Sequence, residues 1–519
     1  MIEKFLNNRF LTLFFIPISL GSLTVFTFQP FNIFFINFLI LPLFFYLIIY
    51  IKKKSQSIFR KKPFRKNLFI FGTSFGFGYY LSGIHWITNS LTFDDTFKIL
   101  IPFGLILIPL FLSLFFSLII VFLGPHLKLN INSIFLLSAC LAISDFIRAK
   151  IFTGFPWNLW AYSLSWSPEI IQILNPIGLY ALNLILITIF LIPSVLFFKI
   201  SLLKKIFSLL TIPLIIFFLY VYGSYIINHN KEFLNDYDKK FNVKVISPNF
   251  MLKYGLSEIE VKSRLQKLIK YSDPKEKIKT LYVWPEGVFS GYNFNEISGL
   301  KKIFFENFKN NHFILFGINR FDEKKGGTYN SLVIINSEME ILHEYKKQKL
   351  VPFGEFLPFE KVLNKFGLKK ITEGHGSFLK GVEQKNIIFD DLNILPLICY
   401  EIIFTKLIQS NNQNTNLIVN ISEDGWFGNS IGPSQHFAKA IFRAIESNSF
   451  LVRSTNKGVS AIIDNKGLIV KKLNNLEAGN IELQVPLIKS KNKNKNDLIF
   501  YLLLITYIFI FKLYKKNDG

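Results

Sequence analysis

Acidic residues and cysteines are scarce in this chain of 519 residues. It has 35 Asp and Glu against 59 Lys and Arg, and its two cysteines are Cys140 and Cys399. Two cysteines are too few for a small scaffold that disulfides hold together. Apolar residues, by contrast, make up 50% of the chain and 60 residues are Phe, which excludes an intrinsically disordered protein. The mean hydropathy of +0.36 over this length favours several membrane-spanning helices.

The shortage of acidic residues leaves a net charge of +24. Such a charge is typical of nucleic-acid-binding proteins, but also of membrane proteins with basic cytoplasmic loops. The basic residues cluster in loops and tails beside the apolar segments, and the sequence contains no evident RNA- or DNA-binding motif. We therefore predict a membrane protein that has no nucleic-acid partner.

Seven long apolar segments precede residue 230, and an eighth lies near the C-terminus. They cover residues 10–30, 33–51, 68–91, 99–124, 133–147, 170–198, 206–227 and 498–511. A helix that crosses a bilayer needs about 20 mostly apolar residues, so each segment is a candidate span. Segment 133–147 is the weakest because it is short and contains Asp145, and a buried helix that does not cross is its alternative. The first segment lacks the cleavage site of a signal peptide, so we predict a retained helix.

The basic loop between the second and third segments predicts the orientation. Residues 52–66 contain eight Lys and Arg and no acidic residue, which places this loop in the cytoplasm by the positive-inside rule. Counting spans from this loop puts the N-terminus in the cytoplasm and the chain after residue 228 outside. Lys512, Lys515 and Lys516 follow the last segment, so we expect a cytoplasmic C-terminus as well.

Between residues 229 and 490 the sequence changes character. Charges of both signs appear, and short apolar runs alternate with polar stretches of helix length, a pattern typical of strands in an α/β domain. The clearest runs are residues 243–247, 280–283, 312–316, 331–335, 394–399 and 417–421. We therefore predict a membrane domain at 1–228, an extracytoplasmic catalytic domain at 229–490, and a linker, C-terminal span and basic tail at 491–519.

Cys399 is the one cysteine of this second domain. It follows an apolar strand run directly, where a helix is expected to begin. Backbone N–H groups at a helix start stabilise an oxyanion, and the helix dipole lowers the pKa of a thiol there. The sequence thus makes Cys399 a candidate nucleophile, although a buried and inert cysteine is the alternative.

A nucleophilic cysteine needs a base and a cation or donor for the oxyanion. The histidines of this domain lie in no recognisable Cys–His motif, but Glu286 follows the strand run 280–283 at the carboxyl edge of a sheet, where sites form in α/β domains. Three lysines and a Glu surround a Pro/Gly turn in residues 345–356. Each segment alone has an ordinary alternative, a surface acid for Glu286 and a solvated basic loop for 345–356.

The three segments occur in an order that resembles a known family. Trp-Pro-Glu ends at Glu286, Tyr-x-Lys-x-x-Leu-Val-Pro-Phe-Gly-Glu ends at Glu355, and Cys-Tyr-Glu begins at Cys399. This order resembles the nitrilase superfamily with its Glu–Lys–Cys triad. With the membrane segments, and with motifs such as Gly-Phe-Pro-Trp-Asn at 154–158 and Gly-Pro-Ser-Gln-His at 432–436, nearly the whole chain resembles the apolipoprotein N-acyltransferase family.

The resemblance implies a fold and residue roles. The fold would be a polytopic α-helical membrane domain joined to an α/β domain of the nitrilase-like αββα sandwich type. Glu286 would be the general base, Lys347 the oxyanion-stabilising lysine and Cys399 the nucleophile. Glu355, Tyr400 and Glu401 would support them, and Tyr254, Trp426 and Phe427 match substrate-loop positions. Two departures from the family concern these loops: Glu423 stands where the family usually has Asn, and Tyr254 stands where it has Trp.

The resemblance also implies an activity. A phospholipid would donate an acyl chain to Cys399 as a thioester, and the α-amine of the N-terminal diacylglyceryl-cysteine of an apolipoprotein would accept it. The enzyme would lie in the bacterial inner membrane with its catalytic domain on the periplasmic side. No cofactor or metal is expected, since no Cys/His cluster has metal-ligand spacing. A membrane-tethered nitrilase-type amidohydrolase is the first alternative, and a transporter or receptor with a ligand-binding outer domain is the second.

Residues 353–368 contain eight apolar side chains. They predict either an arm that dips into the outer leaflet or an ordinary amphipathic core helix. Trp426 and Phe427 likewise fit either a lid or the core.

Overall fold

The computed structural model describes residues 6–55, 64–253, 255–363, 365, 377–383, 385–411, 414–489 and 496–517. The chain divides into two compact units. The first, which we call the helical unit, consists of Met1–Thr92, Lys98–Ile226 and Lys495–Gly519. The second, which we call the sheet unit, consists of Phe93–Phe97 and Ile227–Asn494.

Apolar α-helices make up most of the helical unit. They are α1 (Ile16–Leu23), α2 (Asn37–Lys54), α3 (Phe64–Ile84), α4 (Ile101–Leu123), α5 (Ile131–Arg148), α6 (Leu174–Ile177), α7 (Leu179–Leu191), α8 (Leu202–Asn235) and a C-terminal helix (Asn496–Asn517). Short 3₁₀ turns extend several of them, and α8 continues into the sheet unit.

Five of the described helical segments are long and apolar enough to cross a membrane. They are Phe34–Lys54, Asp95–His126, Ile131–Arg148, Leu179–Phe197 and Leu202–Asn235, and each overlaps a predicted span. The helix in the predicted span 170–198 begins later than expected, at Leu179, because the chain turns at Gly178, whose φ is 82°. The other three predicted spans correspond to the helical segments Leu11–Thr27 and Phe64–Ile84 and to the C-terminal helix, and their crossing of the membrane stays a prediction.

Small residues allow α3 and α4 to pack closely. A Cβ atom at Gly76 would stand 2.7 Å from the Cα of Ser113. Since the lipid tails are as apolar as the helices, contact between helices depends on such close van der Waals packing.

A buried ion pair explains the charges in the weakest predicted span. Arg148 Nη2 lies 2.7 Å from Asp145 Oδ1, and Asn183 on α7 donates a hydrogen bond to the second carboxylate oxygen at 2.9 Å. Arg148 also donates to the carbonyl oxygen of Phe155. Because the two charges neutralise each other inside the unit, α5 tolerates them.

The sheet unit is built on two mixed six-stranded sheets. The first has the order β12-β1-β2-β3-β4-β5 and the second the order β11-β10-β9-β8-β7-β6. The strands are β1 (Lys240–Ser247), β2 (Thr280–Val283), β3 (His312–Asp322), β4 (Gly327–Ile335), β5 (Ile341–Lys346), β6 (Ile387–Phe389), β7 (Leu392–Ile398), β8 (Leu417–Glu423), β9 (Phe450–Asn456), β10 (Ser460–Ile463), β11 (Ile469–Leu473) and β12 (Gly479–Pro486). The six strand runs named from the sequence correspond to β1, β2, β3, β4, β7 and β8, and the run 394–399 extends one residue past β7.

The two sheets face each other and carry helices on their outer faces. Val243 and Leu332 of the first sheet share one buried core with Ile394 and Val419 of the second. A second core lies between the first sheet and the helices α9 (Glu258–Ser272) and α10 (Lys301–Asn307). The remaining helices are α11 (Glu360–Leu363), α12 (Thr405–Asn411) and α13 (Gly432–Ser447), and α13 packs against β9. The predicted αββα sandwich is confirmed.

Candidate active site

Three strand ends carry the residues of the predicted triad. Glu286 comes three residues after the end of β2, and Lys347 and Cys399 are the first residues after β5 and β7. Strands β2 and β5 belong to the first sheet and β7 to the second. The Cys399 thiol interacts electrostatically with both Glu286 and Lys347, so the structure brings all three side chains together.

The backbone of Cys399 is unusual. Its φ is 49°, in the left-handed region that non-glycine residues seldom adopt and that recurs at functional sites. The residue opens a 3₁₀ turn, Cys399–Ile403, and 8% of it is exposed. The sharp turn therefore holds the thiol at the sheet edge, much as a nucleophile elbow does.

A close approach of two backbones fixes the position of Glu286. A Cβ atom at Gly317 on β3 would stand only 2.9 Å from the Cα of Glu286, so only glycine leaves room here. Oε2 of Glu286 accepts a hydrogen bond from the backbone N–H of Glu423 at 3.1 Å. The Glu286 side chain remains 13% exposed, which leaves it some access to a reacting group.

Glu286, Asn330, Lys347 and Glu355 form what we call the lysine cluster. Lys347 Nζ lies 2.8 Å from Glu355 Oε1 and 3.4 Å from Glu286 Oε1. Asn330 on β4 donates to the same two oxygens at 2.7 and 2.8 Å. Burial alone would lower the pKa of Lys347, but the Glu286 and Glu355 carboxylates outweigh it and raise that pKa. Lys347 is therefore a buried cation at any physiological pH.

Glu401 joins the lysine segment to the cysteine turn. Its Oε1 accepts hydrogen bonds from the backbone N–H groups of Gln348 and Lys349 at 2.7 and 3.0 Å. Its Oε2 accepts the N–H of Ile398 at 2.9 Å, and the Tyr345 hydroxyl donates to both oxygens. Burial raises the pKa of Glu401 to about 7, against the effect of these hydrogen bonds. One carboxyl group thus fixes Lys347 and Cys399 relative to each other.

The expected lowering of the Cys399 pKa is wrong. Burial is the largest cause of a raised thiol pKa, Glu286 raises it further, and Lys347 opposes both. A five-residue 3₁₀ turn has too small a dipole to offset burial. The resting residue is therefore a neutral thiol, which becomes a nucleophile only when a base takes its proton.

A second polar group, which we call the arginine cluster, lies on β8, β9 and α13. Asp424 pairs with Arg453 at 2.8 Å and with His436 at 3.0 Å, and it accepts the Ser422 hydroxyl at 2.6 Å. Burial works against the charge, but Arg453 and then His436 lower the pKa of Asp424 to about 2. Burial and Arg453 lower the pKa of His436 to about 4. Ser422 also lowers the pKa of the Cys399 thiol, so this cluster borders the cysteine.

The other predicted residues are placed as follows. Tyr400 is buried and packs against the Phe404 ring at 5.1 Å. Trp426 and Phe427 are half-buried in the 3₁₀ turn Asp424–Phe427. Tyr254 lies outside the described residues, as does part of segment 353–368. In the described part of that segment, Phe353 and Phe359 are 52% and 80% exposed.

Asn330 is not among the residues that the sequence predicts for the site, and the sequence predicts no role for Glu423. Asn330 precedes the run 331–335 in β4, beside the polar Ser331, so its residue type did not mark it as part of a site. Glu423 was visible only as a departure from the related family. The residues of the arginine cluster belong to motifs that carried the resemblance, but nothing local in the sequence connected them to Cys399.

No group of three His, Cys, Asp or Glu side chains suited to a metal ion occurs in the part of the chain that the structure describes. The arrangement instead offers a thiol, an adjacent carboxylate and a fixed ammonium. These are the parts that nucleophilic acyl transfer needs.

Comparison with known families agrees with this chemistry. Residues 257–491 match the carbon–nitrogen hydrolase model, and residues 20–192 match the N-terminal domain model of apolipoprotein N-acyltransferase. Fold and site thus define a carbon–nitrogen hydrolase domain in a chain that also has an apolar helical unit. Nit3 of Saccharomyces cerevisiae, a nitrilase superfamily member, has a TM-score of 0.36 and 17% identity over 48% of this chain and 91% of its own.

Relatives along the whole chain are more specific. An apolipoprotein N-acyltransferase of Rhodopseudomonas palustris is 32% identical over 88% of this chain and 86% of its own length. One of Rickettsia typhi is 33% identical over 84% of this chain and 89% of its own. The chain belongs to the apolipoprotein N-acyltransferase family, and it is a membrane-embedded enzyme of that family.

Proposed function

We propose that this enzyme transfers an acyl chain from a membrane phospholipid to the α-amine of the N-terminal diacylglyceryl-cysteine of an apolipoprotein. The acyl chain is carried in between as a thioester on Cys399. The observation that supports this most is the grouping of a strained, neutral thiol with the Glu286 carboxylate and the Lys347 ammonium. The family membership supports the choice of substrates.

In the first half-reaction Glu286 takes the proton of the Cys399 thiol. The thiolate attacks the ester carbonyl carbon of the phospholipid, and a tetrahedral oxyanion forms. Lys347 and the backbone N–H of Tyr400 stabilise this oxyanion. The carbon–oxygen bond then breaks, Glu286 returns its proton to the leaving oxygen, and lysophospholipid departs from the acyl-thioester.

In the second half-reaction the neutral α-amine of the lipoprotein attacks the thioester carbonyl. Glu286 takes a proton from the attacking nitrogen, and Lys347 again stabilises the oxyanion. The carbon–sulfur bond breaks, the thiolate recovers a proton from Glu286, and the amide product leaves. Neither half-reaction requires a metal or a cofactor.

Hydrogen bonds within the lysine cluster and from Glu401 hold Lys347 in one geometry. Glu355 accepts hydrogen bonds from Lys347 and from the Val351 N–H, and Asn330 donates to Glu286 and Glu355. Glu401 accepts from backbone N–H groups next to Lys347 and next to Cys399. Misplacing a reacting group by about 1 Å costs up to about 100-fold in rate. The dense hydrogen bonding around Lys347 therefore supports a catalytic rather than a purely structural cluster.

We further propose the arrangement in the membrane. The domain at 229–490 carries the chemistry on the periplasmic side of the inner membrane, and the segments 1–228 and 491–519 anchor it with both termini in the cytoplasm. The basic loop 52–66 supports this orientation. The exposed Phe353 and Phe359 support an arm that contacts lipid, and Tyr254, Trp426 and Phe427 are proposed to line the path of the substrates.

An amidohydrolase with water as acceptor shares the triad and is the alternative. Product analysis separates the two. Purified enzyme is incubated with phospholipid that is labelled in its acyl chains and with a diacylated lipopeptide, and both products are examined by mass spectrometry. We expect a triacylated N-terminus and lysophospholipid, and neither product from Cys399→Ser. Free fatty acid or ammonia without triacylated peptide, or full transfer by Cys399→Ser, would contradict the proposal.

A further inference from the structure

Glu423 is a buried acid beside the general base that the proposed mechanism does not yet use. It is the last residue of β8 and is only 3% exposed. Its backbone N–H donates to Glu286 Oε2 at 3.1 Å. Its own carboxyl group lies alongside the same backbone, since a Cβ atom at Gly287 would stand 3.4 Å from Glu423 Oε2.

The Glu423 side chain holds two neighbouring elements. Oε1 accepts the N–H of Gly425 at 2.8 Å, which fixes the turn that follows β8. Oε2 accepts the side-chain amide of Asn456 at 2.6 Å, which ties that turn to the end of β9. The position of the Glu423 backbone N–H, and therefore its bond to Glu286, depends on both contacts.

Asn456 offers an N–H and no oxygen to Glu423. Its Oδ1 accepts the backbone N–H of Phe250 at 2.6 Å, and its Nδ2 donates to the Phe250 carbonyl oxygen at 3.1 Å. A reversed Asn456 amide would lose both bonds. Position 423 must therefore accept from Gly425 and from Asn456 at once, and only a carboxyl group of this length supplies two acceptor oxygens.

We propose that Glu423 is a positioning residue of the acyl transfer, because its side chain fixes the turn after β8 so that its backbone N–H holds Glu286 towards Cys399. The inference rests on the proposed function of Glu286 as the base. An amide side chain at position 423 could not accept both the Gly425 N–H and the Asn456 amide.

Neighbouring charges also act on the Glu423 carboxyl group. Burial, Glu286 and Asp424 raise the pKa of Glu423 to about 8, although the bonds from Asn456 and Gly425 oppose the shift. Arg264 on α9 also interacts electrostatically with Glu423.

Glu423→Gln and Glu423→Ala test this inference in the full chain. Glu338→Gln is the matched control, since Glu338 is an exposed acid of the same unit. The readouts are the steady-state parameters for a diacylated lipopeptide, the single-turnover acylation of Cys399 by labelled phospholipid, and the melting temperature. We expect kcat and the acylation rate to fall about 10-fold for Gln and up to about 100-fold for Ala, with KM nearly unchanged.

The Gln variant keeps the size of the side chain and most of its packing, so we expect it to fold, and it decides the matter even if the Ala variant does not fold. Wild-type acylation by Glu423→Gln, or a raised KM with unchanged kcat, would overturn the inference. If wild-type Cys399 forms no acyl-enzyme, the proposed function fails instead. In that case the rate at which iodoacetamide alkylates Cys399 still measures how well Glu286 takes the thiol proton. An equal alkylation rate in wild type and Glu423→Gln would overturn the inference.

Discussion

The lysine cluster and the arginine cluster are both buried in the sheet unit, but their charges are balanced differently. In the arginine cluster one carboxylate, Asp424, faces one guanidinium, Arg453, with a neutral His436 beside them. In the lysine cluster two carboxylates, Glu286 and Glu355, share the single ammonium of Lys347. The charges of the arginine cluster balance, whereas the lysine cluster has two carboxylates and only one cation.

The two clusters also differ in the pKa values of the groups in or beside them. The pKa of Asp424 is about 2 and that of His436 is about 4, so neither group changes its protonation state near neutral pH. Beside the lysine cluster, the pKa of Glu401 is about 7 and that of Glu423 is about 8. Perturbed pKa values of this kind are typical of functional sites.

Removing the cation of the arginine cluster should have the largest effect, and on stability. Arg453→Met leaves the Asp424 carboxylate buried without its guanidinium, which costs about 3–5 kcal/mol. We expect the melting temperature of the full chain in detergent to fall by at least about 6 °C. The control is Lys472→Met, at an exposed position on β11. Equal melting temperatures of Arg453→Met and the control would remove the distinction between the clusters.

Removing the cation of the lysine cluster should mainly affect the rate. Lys347→Met deprives the oxyanion of its stabilising charge, and kcat should fall about 10²- to 10³-fold. Lys347→Arg retains the charge, but its planar fork does not fit between Glu286 and Glu355, so we expect only partial recovery. Lys380→Met, at an exposed position, is the control. A loss below about tenfold relative to that control would contradict the assigned role.

Removing one acid of the lysine cluster should have a smaller effect that depends on pH. Glu355→Gln presents an NH₂ group either to Lys347 or to the N–H of Val351, both of which need an acceptor, so we expect a loss of about tenfold in kcat. Glu355 raises the pKa of Lys347. Without it that pKa falls, and the alkaline limb of the kcat profile should move to lower pH. An unmoved limb, or the same change in exposed Glu383→Gln, would argue against this coupling.

Glu286, Lys347 and Cys399 could be predicted as site candidates from the sequence alone. Glu286 and Cys399 follow short apolar runs, and the carboxyl ends of such strands are where sites form in α/β domains. Lys347 was chosen through its spacing to Glu355 within a motif shared with the family. The αββα architecture followed from the same resemblance, and the two observed sheets agree with it.

Other features depend on tertiary contacts that no local pattern encodes. Asn330 reaches Glu286 and Glu355 only because β4 pairs with both β3 and β5. The direction of the Cys399 pKa shift depends on burial, which the sequence does not state. Strand β11 contains Lys471 and Lys472 and lies at a sheet edge, where charged residues are tolerated, so hydrophobic patterning did not indicate it.

The central claim is that Cys399 carries the acyl chain between two half-reactions. The most direct measurement incubates the purified enzyme with acyl-labelled phospholipid alone, without an acceptor, and locates the label by peptide mass spectrometry. We predict one acyl group on the peptide that contains Cys399, released by neutral hydroxylamine and transferred when a diacylated lipopeptide is added. Label on another residue, or transfer to the lipopeptide without any labelled Cys399, would contradict the account.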